Sequence, residues 1–287
     1  MAELLKGAEA AAAIDKRALE ILAALRVRGI APVLATVRVG GRGDDIAYES
    51  SVVKRCDKVG LAVRRCLLPA DSTQDALIDE IEKLNADSSV NGVLIFMPLP
   101  KHLDGEAARR ALSPEKDVDG ITEGSLAGVF TGSGRGFPPC TAQACIEILD
   151  HYGINCSGRK AVVIGRSLVV GKPVSMMLLA KNATVTICHS GTADMPSLAR
   201  GADILICAAG KPKMLGKDFF SENQTVIDVG INFSDGKMCG DADFEAAAPV
   251  VRAISPVPGG VGSVTTSVLI SHVLEAAEKQ SANRSER

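Results

Sequence analysis

Tryptophan is missing from this chain, and with two Tyr and seven Phe its aromatic content is only 3%. That argues against the stacked aromatic platforms that bind single-stranded nucleic acid. An excess of one charge is missing too. The 32 Lys and Arg nearly balance 34 Asp and Glu, for a net charge of -2, so no global positive field draws nucleic acid or an anionic membrane. No uninterrupted apolar run reaches membrane-spanning length. The opening segment MAELLKGAEAAAAIDKRALE is Ala-rich but broken by charges. It reads as an amphipathic helix and not as the apolar core of a signal peptide. The eight Cys form no C-x-x-C pair, and no His lies at zinc-site spacing from two of them. Several sit in apolar runs, such as Cys207 in ILICAAG. They are read as free buried thiols of a reducing, cytoplasmic compartment, with neither disulfide nor metal expected.

What is present is core-forming material. The chain is 46% hydrophobic over 287 residues, enough for one large domain or two compact ones. PVLATVRVG, AVRRCLLP and GVLIFMPLP are apolar, β-branched runs of strand length. Between them, DDIAYESSVVKRCDKVG and TQDALIDEIEKLNA carry helical apolar spacing. This alternation predicts an α/β fold, a parallel sheet with helices on both faces. A Gly- and Pro-rich break, PEKDVDGITEGSLAGVFTGSGRGFPP, then reads as a connection between lobes. A second series follows through KAVVIG, ATVTICHS, ADILICAAG, TVIDVGI and AISPVPG, and a helix from about Ser263 to Lys279 ends the pattern.

The strongest local signal is KAVVIGRSLVVGKPVSMMLLAKNATVTICHS. A buried strand runs into Gly165, Arg166 and Ser167. Gly171 follows, then an apolar helix with Pro173 near its first turn, where a missing N–H is harmless. A glycine turn opening onto a helix N-terminus offers free N–H groups and the positive dipole end, where a pyrophosphate binds. The match to G-x-G-x-x-G is imperfect, because Ser167 holds the middle glycine position and Gly171 comes one residue late. A ligand-free βα turn is the alternative reading. The next strand selects the cofactor. It ends in Cys188, His189 and Ser190, without the Asp or Glu that binds an NAD ribose. A carboxylate there would repel a 2′-phosphate, whereas Arg166 and Ser190 can donate to one. The expected cofactor is NADP, with a strand-end cap as the bland role for His189 and a solvated loop residue as that for Arg166. The rival stretch from Thr131 to Gly136 leads into Phe137-Pro138-Pro139, which cannot start a helix, so it is read as a mobile linker.

VVIGRSLVVGKP, ATVTICHS, PEKDVDGI, VIDVGIN and PVPGGVG, in this order and spacing, resemble the methylenetetrahydrofolate dehydrogenase/cyclohydrolase family, from about Leu34 to Ala277. The resemblance implies two three-layer lobes, an N-terminal α/β folate lobe and a Rossmann-type NADP-binding lobe. The first is expected over residues 1–120, completed by the C-terminal helix 263–287, and the second over 121–262. It implies a folate cleft between the lobes, a homodimer, and hydride transfer from methylenetetrahydrofolate to NADP. Many members also hydrolyse the methenyl product to 10-formyltetrahydrofolate.

Carried over by position, Tyr48 matches the active-site Tyr, whose ring packs on the pterin side, against the alternative of a half-buried helix aromatic. Asp119 in Lys116-Asp117-Val118-Asp119-Gly120 matches the carboxylate that holds the pterin amino group through paired charge-assisted bonds. Its alternative is a turn Asp before Gly. Arg166, Ser167 and Ser190, with Gly165, match the NADP contacts. Ile231 matches a loop beside the nicotinamide, and Thr141 a cofactor-facing helix start or an ordinary N-cap. Pro258, Gly259 and Gly260 match the loop closing over substrate, where glycine lets backbone approach a flat ligand.

Two departures bear on chemistry. The family's Lys four residues after the Tyr is Val52 here, and the Gln before its Leu-Pro-Leu-Pro is Phe96, before Met97-Pro98-Leu99-Pro100. Lys orients water and stabilises developing charge in the hydrolytic half-reaction, and Val and Phe can do neither. Lys54 lies about 120° around the helix from Tyr48. Hydride transfer needs no protein acid or base, only proximity in a dry site. The sequence therefore supports the dehydrogenase and leaves cyclohydrolase activity open. Its alternatives are a bifunctional enzyme in which Lys54 compensates and a non-catalytic folate- and NADP-binding module.

Overall fold

The computed structural model describes residues 2–234 and 236–285. They form two compact units, one of residues 14–138 with those from 266 onward, the other of residues up to 13 with 139–265. The chain opens with a two-residue strand, β1 (Glu3–Leu4), and helix α1 (Gly7–Val27).

The first unit follows with β2 (Val33–Val39), α2 (Gly43–Val59), β3 (Ala62–Leu68), α3 (Gln74–Ala86), β4 (Gly92–Ile95), α4 (Gly105–Ala111) and α5 (Glu123–Thr131). Its three strands are parallel in the order β3-β2-β4. Past β4, Asp117 pairs in parallel with Val93, which sets the segment leading to Asp119 along the free edge of β4. Strand β2 is central and buried on both faces, with the polar Thr36 and Arg38 satisfied against α2. Ala35, Val37 and Val39 pack with Leu77, Ile81 and Leu84 of α3. The alternate residues Thr36 and Arg38 meet α2, which buries Asp45, Glu49, Val52, Cys56 and Val59 in one stripe. Helix α2 stops at Gly60, whose φ of 80° is the left-handed C-cap conformation.

The second unit contains α6 (Cys140–His151), β5 (Lys160–Ile164), α7 (Gly171–Ala180), β6 (Thr184–Cys188), α8 (Met195–Arg200), β7 (Ile204–Cys207) and β8 (Thr225–Asp228). A hairpin of β9 (Asn232–Ser234) and β10 (Lys237–Cys239), the short α9 (Phe244–Ala247) and β11 (Ala253–Ile254) complete it before α10 (Thr265–Ser285). Six parallel strands lie in the order β1-β11-β8-β7-β5-β6. Residues Val162, Ile164, Leu205, Cys207, Val226 and Ile254 feed one core face.

Three boundaries differ from the sequence-based expectation. Glu3–Leu4 pairs with Ala253–Ile254 as an edge strand, so the first residues belong to the second unit. Helix α10 runs to Ser285, beyond Lys279 where the apolar pattern ends and within the helix 263–287 that the resemblance implies. The division between units falls at 138/139 instead of 120/121, because residues 121–138 pack onto the first unit. Phe137 stacks at 5.1 Å on the buried His272 of α10. Gly128 faces the Arg135 carbonyl so closely that a Cβ would sit 1.9 Å from its oxygen. The Gly-rich stretch read as a mobile linker is thus a packed return onto α5. Gly128→Ala is expected to lower unfolding free energy by about 1–3 kcal/mol, the usual cost of overpacking against rigid backbone, measured by urea denaturation.

Candidate active site

Strand β5 delivers the chain to Gly165 at φ 133°, where a Cβ would lie 2.1 Å from the Ala208 carbonyl oxygen. At the start of α7, a Cβ on Gly171 would lie 2.2 Å from the Gly165 carbonyl oxygen. Both positions therefore need glycine, one for backbone conformation and close approach, the other to press helix onto loop. Ser167 fixes this turn: its Oγ accepts from the N–H groups of Val170 at 3.1 Å and Gly171 at 3.4 Å. Arg166 and Ser167 are exposed, and the first turn of α7 holds no acid. The order β6-β5-β7 places the topological switch between β5 and β7, directly beside this loop, which is where dinucleotides bind in open parallel sheets. These residues fit a pyrophosphate at the helix N-terminus.

The neighbouring strand β6 ends at the buried Cys188, whose carbonyl accepts from Gly165 N–H at 2.9 Å. His189 closes the turn that follows. Its N–H donates to Thr192 Oγ1 at 2.9 Å, and its Nδ1 accepts from Gly191 N–H at 3.1 Å. That is the strand-end cap. Ser190 is exposed, and the first acid after the strand is Asp194. Arg166, Ser167 and Ser190 thus gather at one edge of the sheet. Thr141 is half-buried in the first turn of α6, where Pro139 is the cap residue, so Thr141 is not an N-cap. Ile231, 63% exposed, stands past the end of β8. Pro258 and Gly259 are exposed, and Gly260 is buried after β11. Gly7 N–H donates to the Gly259 carbonyl at 2.8 Å, which anchors this turn to the amino-terminal segment.

Sequence reasoning missed two buried aspartates behind these loops. Asp228, at the end of β8, accepts from the N–H groups of Gly230, Asp241 and Ala242 at 2.9–3.0 Å. Asp241 accepts from Gly210 and Lys211 N–H and from Asn232 Nδ2, each at 2.9 Å. Burial pushes the Asp228 carboxyl up to about 6, against the pull of its three N–H donors and with help from the negative Asp241. The motif VIDVGIN contains Asp228, but its partners are main-chain groups that no side-chain pattern announces.

In the first unit, Tyr48 is 40% exposed on α2 and meets Phe96 edge-on, with centroids 5.7 Å apart. Phe96 follows β4 directly and is buried, and Val52 is fully buried. Lys54 is exposed. One residue from Tyr48, the buried Glu49 accepts from Thr36 Oγ1 at 2.9 Å, Arg38 Nε at 3.1 Å and Arg65 at 2.8 Å. Burial raises its pKa, but the Arg65, Thr36 and Arg38 hydrogen bonds outweigh that and leave it below the ordinary Glu value. Asp119 is half-buried, on a segment fixed from both sides. Asp117 accepts from Ile121 N–H at 3.0 Å and Thr122 N–H at 2.7 Å, and the Lys116 ammonium donates to the Leu84 and Asp87 carbonyls at 2.6 Å. The Val118 carbonyl accepts from His272 Nδ1 at 2.8 Å. The structure thus places Tyr48 and Asp119 on one unit, and the predicted cofactor residues with Pro258–Gly260 on the other.

Comparison with known proteins decides what this arrangement belongs to. The catalytic-domain model of tetrahydrofolate dehydrogenase/cyclohydrolase matches residues 5–119, and its NAD(P)-binding-domain model matches 139–281. The chain belongs to the tetrahydrofolate dehydrogenase/cyclohydrolase family. The bifunctional protein FolD of Alkaliphilus oremlandii is 46% identical over 98% of this chain and 99% of its own. That of Carboxydothermus hydrogenoformans is 47% identical over 97% and 98%. The crystal structure of the bifunctional FolD of Campylobacter jejuni superposes with a TM-score of 0.94 at 36% identity, over 97% of this chain and 99% of that one. The Trypanosoma brucei FolD, solved with NADP and an inhibitor, gives 0.89 at 33% identity, over 97% and 98%. The second unit is accordingly the family's NAD(P)-binding domain.

Six of the eight thiols are buried, and burial holds Cys56 and Cys145 up at about 12, so these two stay protonated at neutral pH. Among the described residues no group of three or more His, Cys, Asp or Glu is placed to hold a metal. None of the described helices is long and apolar enough to cross a membrane.

Asp228 also gives a pH signature. Its folded pKa, about 6, lies above the value of an unfolded Asp, so ionised Asp228 disfavours the folded state. That penalty is fully present above pH 6 and is relieved as pH falls through it toward 4. The melting temperature of wild type minus that of Asp228→Asn should therefore increase between pH 7 and pH 5. A constant difference in calorimetry would contradict this.

Proposed function

We propose that this chain oxidises 5,10-methylenetetrahydrofolate to 5,10-methenyltetrahydrofolate with NADP as hydride acceptor, in one-carbon metabolism. The observation that carries the reading is the β5–α7 turn: two positions that admit only glycine, a helix N-terminus, and no acid at the end of β6, within a chain whose near-full-length relatives are FolD proteins. NADP, when bound, supplies the nicotinamide that receives the hydride. The chain's residues bind and orient. Arg166 and Ser190 are assigned to the 2′-phosphate, and the glycine turn with the positive dipole end of α7 to the pyrophosphate. Asp119 is assigned to the pterin amino edge and Tyr48 to the pterin ring, with Pro258, Gly259 and Gly260 as the turn that approaches substrate. No protein acid or base is required, because rate comes from holding the two reacting carbons together away from water. The assembly is proposed to be a homodimer acting in the cytoplasm.

Hydrolysis of the methenyl product is the second reading, favoured by the bifunctional names of the relatives. At this site it runs without a cation at position 52, where Val is fully buried, and with Phe96 packed on Tyr48.

Purified protein given methylenetetrahydrofolate is expected to reduce NADP, and the methenyl chromophore to accumulate during turnover. No reduction of either nicotinamide cofactor would remove the whole reading. Methenyl decay as fast as its formation would establish the second activity and place its water-activating group elsewhere than position 52. Ser190→Asp sets a carboxylate where the 2′-phosphate is assigned. KM for NADP should rise about tenfold or more, by loss of one hydrogen bond to a charged group and added repulsion, while KM for NAD changes little.

A further inference from the structure

We infer that Asp241 and Asp228 are positioning residues for the nicotinamide half of the cofactor: a paired carboxylate clamp that fixes the loops after β7 and β8 through their main chains. The inference rests on the NADP reading above.

Topology divides the cofactor. With the pyrophosphate at the β5–α7 turn and the switch between β5 and β7, the half that reaches Ser190 lies over β6, and the other half lies over β7 and β8. The loops that end β7 and β8 are those the aspartates hold. Asp241 bonds Gly210 and Lys211 on the first and Asn232 at the end of the second, so one carboxylate bridges the two loops. Asp228 bonds Gly230 on the second loop and the N–H of Asp241 itself, which fixes the bridge.

The fit leaves no slack. A Cβ on Gly230 would lie 2.4 Å from Asp241 Oδ1, and one on Gly240 would lie 1.8 Å from Asp228 Oδ2. Further bonds tie the bridging strand down: Lys213 N–H donates to the Gly240 carbonyl and Leu215 N–H to the Asp241 carbonyl, both at 3.0 Å. Asp228 N–H donates to Ser255 Oγ at 2.7 Å. Between these anchors Ile231 is held out, 63% exposed. Two buried anions placed side by side disfavour each other, and an apolar pair would fill the space without that repulsion. What an anion adds is several main-chain N–H groups held by one side chain, which fixes the direction of both loops.

The test uses binding, with NADP and 2′,5′-ADP as probes. The second carries the adenosine and both phosphates of that half but no nicotinamide. In Asp241→Asn, one acceptor face becomes a donor facing N–H groups, and NADP affinity by calorimetry should fall about tenfold, as when a charge-assisted hydrogen bond is lost. Affinity for 2′,5′-ADP should be unchanged, and kcat should fall with KM for folate constant. Asn232→Ala removes only the side-chain tie to Asp241, and should shift NADP in the same direction by a smaller factor. It decides the matter if Asp241→Asn does not fold. Equal loss of both probes, or loss of neither, in a folded variant overturns the clamp. Wild type that binds neither probe would overturn instead the NADP reading beneath it.

Discussion

At the carboxyl edge of a parallel sheet the ladder ends, and every main-chain N–H in the turns beyond it needs another acceptor or stays in water. The six-stranded unit answers this in two ways. Past β7 and β8 the protein supplies acceptors of its own: Asp228 takes three N–H groups, and Asp241 takes two with the Asn232 amide. Past β5 the hydroxyl of Ser167 takes the N–H groups of Val170 and Gly171, the carbonyl of the same residue takes that of Lys172, and a ten-residue helix begins. What remains at the start of that helix is its positive dipole end, which favours an anion from outside. The same edge is therefore closed by carboxylates past β7 and β8, and past β5 by a single serine that leaves the helix dipole facing the proposed phosphate site.

The three-stranded unit meets a different constraint. Helix α2 presents Tyr48 outward and Glu49 inward, because successive helical residues are about 100° apart. Glu49 has no exposure, and an unpaired carboxylate there would be costly. Thr36 and Arg38 from β2 and Arg65 from β3 complete its shell, so the helix is fixed to two strands by one side chain. The orientation of Tyr48 follows from that attachment on one side and from the ring of Phe96 on the other.

Much of this was legible in the residues. The strands β2, β5, β7 and β8 are short runs buried on both faces, so their composition announces them. The glycine turn was legible because steric need selects a residue type. The edge strand Glu3–Leu4 was not, since two residues carry no period and its pairing with β11 is set some 250 positions away. The division between the compact units was not legible for a related reason. A Gly-rich stretch looks like a linker, and only the contacts of Gly128 and Phe137 show that it turns back. The aspartate pair was invisible because Asp228 and Asp241 bind mostly main-chain N–H groups, which leave no pattern of side-chain types. Glu49 was passed over because its countercharges lie on separate strands.

The Glu49 shell bears on why position 52 can be valine. Residues 49 and 52 share the buried stripe of α2, so a lysine at 52 would enter the same environment as Glu49. In this chain that carboxylate is already paired with two guanidinium groups, Arg38 and Arg65. A third cation would have to share Glu49 with them, and an uncompensated buried charge costs several kcal/mol. Valine avoids that cost. On the proposed reaction it also avoids a second positive charge near a methenyl product that is itself a cation. On the proposed reading, Val52 and Phe96 leave shape and the carboxylate of Asp119 to orient the pterin, and hydride transfer asks no more of the protein than that.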